Sequence, residues 1–407
     1  MPEIDAETGL PVALLMEHER LARQLVEEAH ANDGLAPVDL ERFWADQQLA
    51  AADPFGADIP QTALGLMMSH ECVFDELGIP EDWWRLETDH AWRAELCKAY
   101  NDRAETIVGR RLLNERPRDP ARVWPTTKAL HDLFEAKNVW HENSWWLMPA
   151  ASGESELSAL LDRVEKRLDG DMKAFVLPDN WESEKRRLLS LGVKPPLYRW
   201  QRGPVTFATS LYGTEHLLLL ILDNPELAVR LRDLILRGML AIARVLDEEA
   251  GFTPESSPRG FGFADDNCAL LTPDMYELFG LPVLQGVFAV YAPGPTDWRY
   301  QHSDSGMGHL LPLLARARLR GVNFGPTVTV SRIRRHLPDA IIEGQLAPFT
   351  LSRNDEVGIV RECLRDIAQA RPTRGLRFTT AGSVNNGSRL SGLRLIMSTI
   401  QRHGRFD

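Results

Sequence analysis

The sequence predicts an α/β fold, a (β/α)8 TIM barrel carrying an all-helical N-terminal extension, and three observations lead there. Beyond residue 125, eight short β-prone segments alternate with helical stretches. Such alternation requires a parallel sheet, and eight strands is the number that closes a barrel. Polar and ionisable residues recur just after those strands, at the end where barrel loops converge on one mouth. The chain has 407 residues, whereas a barrel needs only about 250, so a sizeable segment lies outside it. The expected division is a helical extension over residues 1–125 and a barrel over residues 126–407.

The extension reads as helical from the spacing of its apolar residues. Leu14, Leu15, Leu21, Leu25 and Val26, with His18, mark one face of a helix over Val12–His30. A second helix begins after Pro37, with Asp39 placed to accept from its first turn. The Pro/Gly-punctuated stretch Asp53–Pro60 interrupts the pattern, and Asp89–Leu113 resumes it. Asn114–Pro125, rich in proline and arginine, ends the extension. β-Prone segments then fall at His141–Pro149, Ala174–Pro178, Tyr198–Ala208 and Gly260–Ala264, followed by Trp298–Gln301, Gly321–Gly325, Asp339–Glu343 and Leu376–Thr380. Helical stretches separate them, among them Glu154–Leu168, Glu215–Glu249, Pro273–Tyr291, Met307–Arg320, Val330–His336 and Asn354–Ala370.

Composition narrows the function classes. Hydrophobic residues at 44% and charged residues at 26% are those of a folded globular chain. With 58 acidic against 46 basic side chains, the formal charge of -12 repels phosphate backbones and argues against nucleic-acid binding. Cys72, Cys97, Cys268 and Cys363 are too scattered for a disulfide framework or a cysteine-rich zinc site. Apolar runs such as Leu217–Leu222 fall far short of the about 20 residues that span a bilayer. The N-terminus, MPEIDAETG, is acidic where a signal peptide is basic and then apolar, so a cytoplasmic protein is expected.

Candidate chemistry sits at the strand ends. The fourth strand is followed by Asp265, Asp266 and Asn267, and the fifth by His302, Ser303 and Asp304. Asn323 ends the sixth, Glu343 and Gln345 the seventh, and Thr379–Gly387 the eighth. The first segment carries His141, Glu142 and Asn143; the third carries Arg199, Gln201 and Arg202. His302 and Asp304 share a face if the strand persists that far. A histidine titrating near pH ~6.5 moves protons at neutral pH, and a carboxylate fixes its tautomer. Plainer roles compete: Asp265 or Asp266 can cap the following helix, and His302 can be a core histidine bonded to a carbonyl. The tryptophans between Trp83 and Trp146 read as packing rather than as a stacking platform. His70–Cys72 lacks the second histidine of a helical zinc motif, and Ser331–Leu337 reads as a solvated basic helix face.

Six stretches occur in a telling order: RGPVTFA (Arg202–Ala208), DNPELAVRLRDLI (Asp223–Ile235) and FADDNCALLTPDMYELFGLP (Phe263–Pro282), then HSDSGMGHLLPLL (His302–Leu314), RGVNFGPT (Arg320–Thr327) and IIEGQLAPFTL (Ile341–Leu351). With them the C-terminal two-thirds resembles the uroporphyrinogen decarboxylase superfamily, which includes zinc-dependent methyltransferases acting with corrinoids or thiols. The resemblance implies a (β/α)8 barrel with its site at the C-terminal mouth. It also implies, for the methyltransferase branch, His-x-Cys at the fifth strand and another cysteine late in the barrel. Here Asp304 stands in the cysteine's place, and the residues around Thr380 offer no thiol. The usual thiolate zinc site is therefore absent, while a harder metal on Asp266, His302, Asp304 and Glu343 stays open. The early Arg-Gln-Ala-Gly-Arg loop of porphyrinogen decarboxylases has no counterpart, and Gln201–Pro204 is not its equivalent, which leaves a tetrapyrrole substrate open.

The leading expectation is a cofactor-independent, decarboxylase-type lyase working by acid–base catalysis on an anionic carboxylated small molecule. His302 would move the proton, Asp304 orient it, and Asp266 stabilise developing positive charge or a ring N–H. Arg199 or Arg202 would hold a carboxylate, with Asn323, Glu343 and His141 completing the substrate contacts. The second expectation is a methyltransferase or demethylase of the same superfamily, using a divalent metal such as zinc or a corrinoid on a separate protein. The third is a non-catalytic barrel that binds a metabolite or partner protein. Expected partners are a small-molecule substrate and, under the second expectation only, the corrinoid protein. A homodimer is allowed; nucleic acid and membrane are not expected.

Overall fold

The alternating segments fold into an α/β structure, for which a computed structural model describes residues 3–406. Its strands are β1 (Ala63–Leu64), β2 (Lys137–His141), β3 (Ser144–Met148), β4 (Trp200–Arg202), β5 (Phe261–Ala264), β6 (Arg299–Ser303), β7 (Gly321–Phe324), β8 (Ile341–Leu346) and β9 (Leu376–Thr380). Seven of them form one sheet in the order β1-β9-β8-β7-β6-β5-β4. The sheet is parallel, as its helical crossovers require. Parallel strands are covered on both faces, and all four residues of β7 are buried, whereas β4 at the end of the strand order exposes Trp200 and Arg202.

Contacts divide the chain into two compact units. The first joins the N-terminal residues through Pro117 to Asp304–Gly308 and everything from Gly321 onward. Here the helix Val12–His30 spans the expected residues and buries His18, Ala22, Leu25, Val26 and Ala29 along one stripe. Asp39 caps the helix Leu40–Ala52 as expected, accepting from Arg42 N at 3.1 Å. The second unit comprises Arg118–Ser303 and His309–Arg320. Its longest helix, Pro225–Glu249, starts where Asn224 accepts from Leu227 N at 3.2 Å and Pro225 takes the first helical position.

Several expectations are corrected. Six of the eight β-prone segments supply sheet strands, while His141–Pro149 instead forms the antiparallel β2–β3 hairpin. Its tight turn places Glu142 and Asn143 at φ of 47° and 61°, the left-handed conformation that such two-residue turns require. Ala174–Pro178 is helical instead, because Asp171 caps Ala174 N at 3.0 Å and a turn forms over Met172–Val176. Tyr198–Ala208 is a strand only to Arg202, since Pro204 opens a helix. The seventh sheet strand comes from the segment expected to be wholly helical: β1 pairs Ala63 with Arg377 and Leu64 with Phe378. Arg334, expected on a solvated face, is buried and donates to the carbonyls of Pro338 and Ala340 at 2.7 and 2.8 Å.

Candidate functional site

The register of β4, β5 and β6 builds the site. Trp200 pairs with Gly262 and Gly262 with Tyr300; one step on, Arg202 pairs with Ala264 and Ala264 with His302. Paired residues of a parallel sheet share a face, so Arg202 and His302 stand in one row with only a methyl group between them. The small residues on the middle strand are what open this space. A Cβ on Gly262 would lie 2.5 Å from the Trp200 ring, so that ring rests directly across the glycine. The opposite face of β5 carries Phe261 and Phe263, with Phe263 edge-on to Phe288 of the helix Pro273–Tyr291 at 5.6 Å.

Arg202 and Ala264 of this row line a cleft of about 470 Å³. Trp145 and Trp146 of the hairpin, Trp200, Arg202, Ala264 and Asp266 are among its lining residues. Thr206, Ser210 and Asn267 add polar groups.

The turn after β5 is held by an unusual set of bonds. Asp265 is fully buried; its N–H donates to His302 O at 2.9 Å and its Oδ1 accepts from Thr206 N at 2.7 Å. It thereby caps the helix Pro204–Tyr212, whose own N-cap, Gly203, has no side chain to do so. Gly203 is obligatory because a Cβ there would overlap the Asp265 side chain. Burial pushes the Asp265 carboxyl up to about 6, against the opposing effect of the Thr206 hydrogen bonds. On the other side of Asp266, Asn267 N donates to Thr206 Oγ1 at 3.0 Å and Asn267 Nδ2 to Thr209 Oγ1 at 2.6 Å. Thr206 therefore grips both chain neighbours of Asp266.

One ligand atom each from Asp266, His302 and Asp304 lies within 4.8 Å of the other two. Asp304 rests among glycines: a Cβ on Gly325 would sit 2.5 Å from its carbonyl oxygen, and one on Gly382 2.8 Å from Oδ1. Cys268 is no thiolate donor, since burial holds its thiol well above the ordinary range and Gln301 Nε2 is 3.9 Å from its Sγ. The donor set is oxygen and nitrogen.

The family model for uroporphyrinogen decarboxylase (URO-D) matches residues 187–403, more than half of the chain. The chain belongs to the URO-D family. The ordered sequence blocks implied this membership. Among solved structures, the chain resembles a methyltransferase from Methanosarcina mazei at a TM-score of 0.51 and 15% identity, covering 87% of this chain and 96% of that one. That likeness is one of fold. None of the curated proteins matches the chain.

In this URO-D family member the remaining expected site residues lie as follows. Arg199 is committed elsewhere: Nη2 reaches both Asp247 oxygens at 2.7 Å and Ser257 Oγ at 2.6 Å, and the guanidinium lies 4.2 Å from the Tyr291 ring centre. Of the two expected carboxylate-binding arginines, Arg202 lines the cleft. Glu343 pairs with Arg377 at 2.5 Å, its register partner on β9. Asn323 is buried and donates Nδ2 to Glu343 O at 2.5 Å and Thr380 O at 3.0 Å, tying neighbouring strands together. Gln345 likewise donates to Val328 O at 2.6 Å. His141 is exposed at the hairpin turn, 3.6 Å from Glu142. Sequence reasoning missed two features. Thr206 lies inside the RGPVTFA block without a catalytic residue type to mark it, and Trp145 and Trp146, which read as packing in the sequence, line the cleft.

Proposed function

We propose that this URO-D family enzyme is a methyl-group transferase or demethylase whose centre takes a divalent metal on Asp266, His302 and Asp304. The observation that carries the reading is the mutual 4.8 Å approach of those three donor atoms. Two carboxylates and an imidazole are hard-to-borderline donors, suited to Zn²⁺, Mn²⁺ or Fe²⁺ without a thiolate. Charge supports the same choice: two carboxylates beside one imidazole repel an anion and favour a cation. When bound, such a metal supplies Lewis-acid polarisation of the group being transferred. The chain's own residues do the rest. Thr206 holds the turn that carries Asp266, the Asp265 N–H fixes the end of β6 at His302, and the indoles of Trp145, Trp146 and Trp200 give the cleft an apolar wall. Family membership supports closure of the sheet into a (β/α)8 barrel with this site at its C-terminal mouth.

The test is metal content of the full chain, followed by titration of chelator-stripped protein with Zn²⁺, Mn²⁺ and Co²⁺. About one equivalent should bind, and Asp266→Asn and His302→Ala should abolish binding while circular dichroism stays unchanged. Absence of stoichiometric binding by all three ions sinks the reading. A metal-free decarboxylase is the second reading, and one observation favours it: Arg202 stands in the row of His302 with no carboxylate partner among the described residues. Release of CO₂ from a carboxylated substrate by chelator-stripped protein would decide for it.

A further inference from the structure

We infer that the cleft beside this centre binds a planar aromatic monoanion, with its ring against the tryptophans and its carboxylate on Arg202. The ligand class is independent of the metal; only the assignment of its reacting end rests on the reading above. Trp145, Trp146 and Trp200 are 48%, 52% and 52% exposed and line one concave surface. Single exposed apolar side chains are ordinary, but three half-exposed indoles gathered in one cleft present a large apolar surface to water.

The rings are fixed in advance. Trp146 Nε1 donates to His141 O at 3.0 Å, Trp145 packs edge-on against Trp140 at 5.5 Å, and Trp200 rests over Gly262 beside Tyr300 at 5.4 Å. Rings already ordered lose little entropy when a flat ligand arrives, and flat surfaces maximise contact with a flat ligand.

Arg202 sets the charge of that ligand. Its Nη1 donates to Ser210 Oγ at 3.1 Å, and it has no carboxylate partner among the described residues. Among the described residues that line the cleft, Arg202 is the one that carries a positive charge, and it stands beside three indoles. Its guanidinium keeps donors for a two-point grip on a carboxylate or sulfonate. The same guanidinium repels a quaternary ammonium, the other natural guest of an aromatic cage.

Distance completes the match. Neighbouring strands are about 4.8 Å apart, so Arg202 and His302, two strands apart in one row, have Cα atoms roughly 10 Å apart. A ring of one or two cycles spans that gap over Ala264. Its carboxylate then lies at Arg202 and its opposite edge at Asp266 and His302. A cleft of about 470 Å³ holds a ligand of that size.

Isothermal titration calorimetry on the full chain tests this with 2-naphthoate, 2-naphthamide, cyclohexanecarboxylate and benzyltrimethylammonium. One naphthoate should bind, with the uncharged amide and the non-planar acid each about tenfold weaker or more. Arg202→Gln should erase the preference for naphthoate over naphthamide, and Trp200→Leu should weaken both, with circular dichroism unchanged. Equal affinity for acid and amide, undiminished naphthoate binding by Arg202→Gln, tighter binding of the ammonium, or no naphthoate binding overturns the inference. His302→Ala separates the two readings, because it should lose metal and keep naphthoate. Naphthoate bound by a chain that takes no metal sinks only the metal centre; metal bound without naphthoate sinks only the ligand class.

Discussion

Thr206 grips the turn that carries Asp266, although it belongs to no catalytic residue type. Its N–H is taken by Asp265 Oδ1 and its Oγ1 accepts from Asn267 N, so the two neighbours of Asp266 hang on one side chain and its amide. Replacing the hydroxyl by a methyl group keeps volume but leaves the Asn267 N–H without that acceptor. Such a loss costs on the order of 1–3 kcal/mol where the donor is buried. Thr206→Val should therefore lower stability by about 1–2 kcal/mol, measured by urea unfolding, and weaken metal binding by about 10–100-fold. Thr206→Ser, which restores the oxygen, should recover both. A valine variant that binds Zn²⁺ like the wild type would show that the grip does not position Asp266.

Elements differ in how plainly the sequence announced them, and the differences have physical causes. The helices Val12–His30, Glu154–Leu168, Pro273–Tyr291 and Val330–His336 have the expected limits, because periodic apolar faces act within the element itself and Thr272 and Thr329 cap the last two. The strands β5 to β9 are legible as short β-prone segments between helical stretches, and with them the strand-end positions of Asp266, His302 and Asp304. β1 was not legible, because two residues carry no period and pair only through a strand more than 300 positions later. The hairpin departs from the expected barrel strand for a related reason: Trp140, Trp145 and Trp146 favour strands in any sheet, and only tertiary pairing decides which. Glu249 was equally silent, although it joins three helices. It is buried at the end of Pro225–Glu249 and accepts from Lys173 at 2.6 Å, Lys185 at 2.7 Å and Trp181 Nε1 at 2.7 Å. Burial alone would raise its carboxyl, but those three donors outweigh burial and hold it near about 2. Because the folded value is below the unfolded one, its contribution is complete above about pH 4.5 and is lost as pH falls toward about 2. Glu249→Gln should flatten the acid limb of stability. The gap from wild type, on the order of 2 kcal/mol at pH 7, should shrink by pH 3 in denaturant titrations. A pH-independent gap would assign the effect to packing.

At the scale of the whole molecule, charge and site pull in opposite directions. The chain carries a formal charge of -12, while the inferred ligand is an anion received by a single arginine. The two influences separate by range. At about 0.01 M salt the Debye length is about 30 Å, so an approaching anion meets the field of the whole protein. At about 0.15 M it is about 8 Å, and only groups close to Arg202 still act. A surface arginine on a neutral protein would capture an anion more slowly as salt rises, because screening removes attraction. Here screening first removes the wider repulsion, so the association rate of 2-naphthoate should rise between about 0.01 and 0.15 M salt. That of 2-naphthamide, which carries no charge, should stay constant. Stopped-flow measurement of the probe's own fluorescence reads both rates. If naphthoate association slows over that range while the amide is unchanged, the local field of Arg202 already dominates at long distance. The acidity of the chain would then have no part in selecting what reaches the cleft.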